Sequence, residues 1–381
     1  MYIIIYALLF IYANSSMLSV PCYRYMDTIN LYLKSIDRDE LFITVIDIES
    51  AISLSATKQA DSLLSMLPVR YKEANLECRL YNETIFLGGS YKTPVEQYTY
   101  FGFKIEYNKY LKHNSIAAFG RNARQTMSLA YQLYRTNKIM YKEFSFDMNN
   151  QCMVYFGHLS ATIRSQYKYS QKIETFELKE DDTVSRWNIN MEYIAVGNDV
   201  YFNNDSESKT YFSSIDKNIL VPRKAFNFLV KTLFKDYFGN EGCRYTGKKN
   251  LEIICDCDDI VMLKPLSFGI GGKEFMLETK KLFIEYDYHC LFTMQINEKE
   301  DKWIIGNAFL FNYLSSFDID DKTVTLYSYN EIYEGKKNNG VIYNNNIVDM
   351  HTIIKGLSMF IICSLIFNIA ILGIYKFKYF I

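Results

Sequence analysis

A mainly β body set between two apolar end segments is the architecture this sequence predicts. Three observations carry it: apolar residues in the middle of the chain come in short runs separated by turn residues, the chain opens on an apolar stretch closed by small polar residues, and a charge-free apolar segment lies near its end. The runs 41–47 (LFITVID), 153–159 (MVYFGHL), 187–196 (WNINMEYIAV), 252–255 (EIIC) and 323–327 (TVTLY) have strand length, and their β-branched and aromatic residues pack well on a pleated surface. Helices are expected at only three places, 126–136, 223–237 and 307–313. Pro222 is suited to open the second, because its fixed φ and missing N–H cost nothing in the first helical turn.

The chain has 381 residues, a net charge of -1 and 49% hydrophobic residues, enough to bury one large or two medium cores. Its balanced charge provides no concentrated basic face to neutralise phosphates, so nucleic acid is not an expected partner.

Residues 2–12 (YIIIYALLFIY), followed by Ala13, Asn14, Ser15 and Ser16, have the apolar region and small-residue cleavage zone of a signal peptide over 1–16. The competing reading is a buried first strand. Residues 356–375 carry no charge and are long enough to cross a hydrocarbon core of about 30 Å as one helix. Lys376 and Lys378 follow directly, which puts the tail 376–381 in the cytosol and the bulk of the chain in the lumen or outside. A GPI signal is the alternative, although such tails do not normally end in a basic stretch. Residues 330–351, with KKNNG and YNNN and no apolar periodicity, are expected to be a stalk. The protein is thus expected in the secretory pathway or at the cell surface, spanning its membrane once.

An oxidising compartment favours paired cysteines. Outside the expected span, which holds Cys363, the chain has Cys22, Cys78, Cys152, Cys243, Cys255, Cys257 and Cys290. That odd number leaves one thiol free or intermolecular. Cys243, Cys255, Cys257 and Cys290 are disulfide candidates; with His289 they offer donor atoms for zinc, but they lack the paired CxxC spacing of structural sites, and no metal is expected. Asn82 and Asn204 head N-glycosylation sequons.

The stretch Trp303-Ile304-Ile305-Gly306-Asn307-Ala308-Phe309-Leu310, with Tyr313 and then Phe317-Asp318, resembles the closing motif of pepsin-like aspartic peptidases, W-I-L-G-D-x-F-L-R-x-Y-Y-x-x-F-D. Asn307 and Phe311 depart from it. Upstream, Lys264-Pro265-Leu266-Ser267-Phe268 and Gly271-Gly272-Lys273-Glu274-Phe275 are similar to the family's L-P-x-I-x-F and G-G-x-x-F pieces. Residues 115–120 (SIAAFG), Phe144-Ser145, residues 154–157 (VYFG) and residues 187–197 stand, in order, where the family has G-I-L-G-L-G, F-S, a strand ending in F-G, and the strand opening its second lobe. The resemblance implies a two-lobed mainly β fold around a deep central cleft, with lobes at 22–185 and 186–329.

It also implies one catalytic aspartate from each lobe. Asp47-Ile48-Glu49-Ser50-Ala51 is similar to the first D-T-G-S-S, which makes Asp47 the first candidate. Ile48 replaces a threonine whose hydroxyl braces the two loops in the family, and Glu49 replaces a glycine that eases a tight backbone. Counting back from Pro222, the second motif falls on Ser213-Ser214-Ile215-Asp216-Lys217, with Ser213 at the aspartate position; Asp216 becomes the second carboxylate only if the loop is three residues shorter. Tyr81 and Gly88 have the separation of the family's flap tyrosine and glycine, and Tyr81 is equally readable as an ordinary strand aromatic.

Hydrolysis in this family needs two carboxylates about 3 Å apart sharing one proton, so that an acid and a base stand side by side. A serine hydroxyl has no accessible ionisation to share. The first expectation is therefore a membrane-anchored family member with lost or reduced endopeptidase activity, its cleft keeping a peptide or protein ligand. Two alternatives stand beside it: an active endopeptidase using Asp47 and Asp216, and a structural or adhesive surface protein on the same scaffold. No cofactor is implied, and no HExxH, GxSxG or GxxxxGK[ST] stretch occurs.

Overall fold

A computed structural model describes residues 17–25, 28–35, 40–51, 54–56, 67–71, 74–87, 94–102, 115–122, 128–148, 152–178, 184–203, 210–238, 242–246, 252–286, 288–298 and 302–329. The chain divides into residues 1–330 and 331–381. The expected signal segment 1–16, stalk 330–351, span 356–375 and tail 376–381 lie outside the described residues. No helix among the described residues is long and apolar enough to cross a membrane.

Strands dominate, as the short apolar runs predict. Thirteen described strands form one sheet, and three smaller sheets of five, four and four strands are built from the second half of the chain. Both halves contribute to the large sheet, because Leu314–Asp318 pairs with Glu143–Asp147 in the register Phe317↔Phe144. The two rings stack at 5.1 Å, and Trp187 meets Phe317 edge-on at 5.2 Å. Trp187 is fully buried and its indole N–H donates to the Phe119 carbonyl at 3.0 Å. This removes the polar cost of burying the ring, while the apolar area welds the residues that open the second half to those of the first.

The helices are shorter than their patterns suggest. They cover Leu129–Arg135, Arg223–Thr232 and Asn307–Leu310, and a four-residue helix Ala161–Arg164 carries no sequence periodicity that would reveal it. Ser128 caps the first by accepting from Tyr131 N, and Pro222 precedes the second as expected. The run 187–196 is two strands, Asn188–Ile189 and Met191–Val196. Gly271 and Gly272, at φ +58° and +71°, form the two-residue turn joining Leu266–Ile270 to Lys273–Leu277, a conformation only glycine adopts freely.

Six cysteines pair as Cys22–Cys152, Cys243–Cys255 and Cys257–Cys290. Both readings of the C-terminal cysteine cluster therefore resolve to two disulfides. Cys243 and Cys290 both lie opposite Cys255, on its two neighbouring strands; Cys255 bonds the first, and Cys257, two residues on, bonds the second. The side chain of Cys78 lies outside the described residues.

Candidate functional site

Two loops, each leaving a strand that is paired in parallel with a second one, meet at the junction of the two halves. The strand Glu40–Asp47 pairs with Ser115–Ala118, placing Asp47 beside Ala118; Thr210–Phe212 pairs with Ile304–Ile305, placing Phe212 beside Ile305. Each second strand runs into a glycine against which its loop folds back. Gly120 N donates to Ser50 O at 2.9 Å, and a Cβ there would fall 2.7 Å from that oxygen. In the other half a Cβ on Gly306 would collide with the Asp216 carbonyl, which accepts from Asn307 N at 2.8 Å. Bulk at either position would push its loop away.

These contacts align the loops residue by residue. Glu49 N donates to Asp47 Oδ1 at 2.8 Å, and Ile215 N donates to Ser213 Oγ at 3.3 Å, so Ser213 stands in its loop where Asp47 stands in the other. Asp216 corresponds to Ser50, three residues further on. Its amide donates to Ser213 Oγ at 3.1 Å.

Across the junction, Ser214 Oγ donates to Ile46 O at 2.7 Å and accepts from Ile48 N at 3.1 Å. This is one half of the brace the family resemblance implies. Its counterpart cannot form, because Ile48 is a fully buried hydrocarbon. A second connection stands beside it. Glu49, only 2% exposed, accepts a hydrogen bond from the Ser213 hydroxyl at Oε1, and its Oε2 faces Arg186 Nε at 3.4 Å. Arg186 lies 4.2 Å over the ring of Tyr211, so its guanidinium is fixed between a carboxylate and an aromatic face. The main chain supports the same arrangement: Ser185 N donates to Glu49 O at 2.7 Å, and Ser50 bridges to Val184. Glu49 is not among the residues of positive φ, so a side chain there causes no backbone strain.

The hydroxyl of Ser213 is saturated by these bonds. A serine hydroxyl has one proton to donate and two lone pairs. The proton goes to Glu49, and the lone pairs take the amides of Ile215 and Asp216. Asp47 and Ser213 are both fully buried, and the acidic group reaching Ser213 comes from the same loop as Asp47.

Sequence reasoning did not assign Ser214, Arg186 or the Glu49 carboxylate to the site. Glu49 was visible as a charge at a glycine position, and Arg186 as the charged residue just before the strand that opens the second half. Of the remaining candidates, Tyr81 and Asn82 belong to the strand Ala74–Leu87, in register with Thr99 and Tyr98 of Pro94–Gly102. Their side chains, Gly88 and Asn204 lie outside the described residues.

A family model for eukaryotic aspartyl protease matches residues 65–328, more than half of the chain. A crystal structure of an aspartic proteinase from Irpex lacteus superposes with a TM-score of 0.63 at 14% identity, covering 82% of this chain and 97% of that one. At that identity the likeness speaks for the mainly β pepsin-like fold alone. Pregnancy-associated glycoprotein 2 of Bos taurus is 30% identical over 81 residues, which is 20% of this chain and 22% of that relative's length.

Proposed function

The chain belongs to the eukaryotic aspartyl protease family, and from that premise we propose that it is a membrane-tethered member of the secretory route that has lost most or all peptidase activity and binds a peptide or protein in its cleft. The observation that supports this reading is the pairing of Ser213 with Glu49. Family chemistry requires carboxylates from both loops to hold one proton and one water between them. Here the second loop offers a hydroxyl whose hydrogen-bonding capacity is already used, and the carboxylate that reaches it, Glu49, faces an arginine. A carboxylate engaged in an ion pair is poorly placed to share a proton with Asp47. Removing one member of a catalytic unit commonly removes most of its rate.

Tethering rests on residues 356–375 and the lysines after them, and the secretory route on residues 1–16 together with the three disulfides. The test is an assay of the purified full-length protein on a denatured protein substrate between pH 3 and 6, with pepstatin and with Asp47→Ala as controls. No cleavage above the Asp47→Ala background is expected. Pepstatin-sensitive turnover abolished by that substitution would overturn the reading, and its loss in Asp216→Asn as well would assign the second acid to Asp216.

A further inference from the structure

Away from the two loops, an open groove of about 380 Å³ lies where the helix Ala161–Arg164 and the turn after it meet the edge of the large sheet. Ala161, Arg164, Ser165, Tyr167, Ser170 and Tyr327 line it. The neighbouring strands are Tyr167–Glu174 and Thr323–Tyr329, and the sheet order sets five strands between the latter and Glu40–Asp47, so the groove is separate from the junction.

Tyr327 is the informative residue. It is 8% exposed and its ring packs 5.9 Å from that of Tyr167, over a small apolar cluster with Leu159 and Leu314. The Tyr167 hydroxyl donates to Asp147 Oδ2 at 2.9 Å, whereas the Tyr327 hydroxyl has no hydrogen-bond partner among the described residues. That hydroxyl is free to donate into the groove that Tyr327 lines.

The charge in that groove is positive. Arg164 makes no ion pair among the described residues, yet its guanidinium is near enough to act on the Tyr327 hydroxyl. Burial raises the Tyr327 pKa, Glu143 adds to the rise, and Arg164 opposes it, so the phenol keeps its proton as a donor. Glu143 does not compete for the arginine, because Ser316 occupies its Oε1 and His158 Nδ1 lies 2.8 Å from its Oε2. Ser165 donates to Thr162 O at 2.9 Å and keeps lone pairs for a ligand hydroxyl.

We propose that this groove binds a compact carboxylate about the size of one sugar ring, an acidic monosaccharide, with Arg164 and Tyr327 holding the carboxylate and the two serines facing its hydroxyls. A single guanidinium fork beside a neutral donor matches a planar monoanion; a phosphate dianion normally gathers more positive groups or backbone amides. The volume suits one ring, being near the lower end of ligand pockets.

The experiment titrates full-length protein with N-acetylneuraminic acid and with glucuronic acid by calorimetry, alongside N-acetylglucosamine and inorganic phosphate. Saturable binding of at least one acid is expected, weakened about tenfold in both Arg164→Ala and Tyr327→Phe, the loss that a charge-assisted hydrogen bond carries. Because the Tyr327 hydroxyl has no hydrogen-bond partner among the described residues, Tyr327→Phe should leave the thermal midpoint unchanged, which separates a ligand role from a structural one. Four results would each overturn the proposal: no saturation by either acid, equal affinity for the neutral sugar, binding of phosphate alone, or unchanged binding in both variants.

Discussion

The loop after Asp47 and the loop after Ser213 share one backbone design and divide the family's chemistry between them. The first keeps the carboxylate and has lost the bracing hydroxyl, since Ile48 stands at that position; the second keeps the hydroxyl, Ser214, and has lost the carboxylate. Each loop still folds against its glycine, and each still turns an amide toward the leading side chain. The difference teaches that the scaffold of these loops does not depend on the two aspartates. Backbone pairing and the close approach at Gly120 and Gly306 hold the geometry, and the side chains at the junction can then be exchanged. Glu49 adds a connection of its own, joining its loop to the other through Ser213 and to the start of the second half through Arg186.

The comparison breaks most sharply if the chemistry can be returned to an intact scaffold. The combined substitution Ile48→Thr, Glu49→Gly and Ser213→Asp is expected to raise pepstatin-sensitive turnover of a denatured protein by about a thousandfold or more over the parent. A folded triple variant that stays as inert as the parent would mean that the loss lies elsewhere in the cleft. Next in size is the removal of the new connection. Glu49→Ala removes the acceptor of the buried Ser213 hydroxyl and one partner of Arg186, and a loss of about 3 kcal/mol in chemical denaturation is expected. Glu49→Gln, which retains an acceptor for Ser213, should lose less; equal losses would remove the ion pair from the account. The smallest effect sharpens the same contrast. Ser214→Ala deletes a hydroxyl that donates to one buried backbone group and accepts from another, at a cost of about 2 kcal/mol, while a change under about 0.5 kcal/mol would show that the surviving half of the brace carries no load.

Much of the fold was legible because its signals are local. Alternating and β-branched runs announce strands, Pro222 announces a helix start, and Gly271-Gly272 announces a tight hairpin. The motif order from Asp47 to Phe317-Asp318 pointed to two such loops, and counting back from Pro222 put Ser213 at the position matching Asp47 in the motif. What stayed hidden depends on residues far apart in sequence. The contact of Glu49 with Ser213 spans 164 residues and that with Arg186 spans 137, so neither leaves a periodicity to read. The short helix Ala161–Arg164 was missed for a different reason: one turn is too brief to display an apolar face. The connectivity of the cysteines likewise stayed hidden, because spacing alone does not determine it.

The Cys22–Cys152 bridge closes a loop of 130 residues between the first described strand and the Met153–Phe156 region of the large sheet. A single proteolytic cut anywhere inside that loop cannot release a fragment. The nicked molecule would migrate as one species on a denaturing gel until a reductant was added, and would then separate into two bands. A cut between Cys22 and Cys152 is therefore missed by a gel run without reductant.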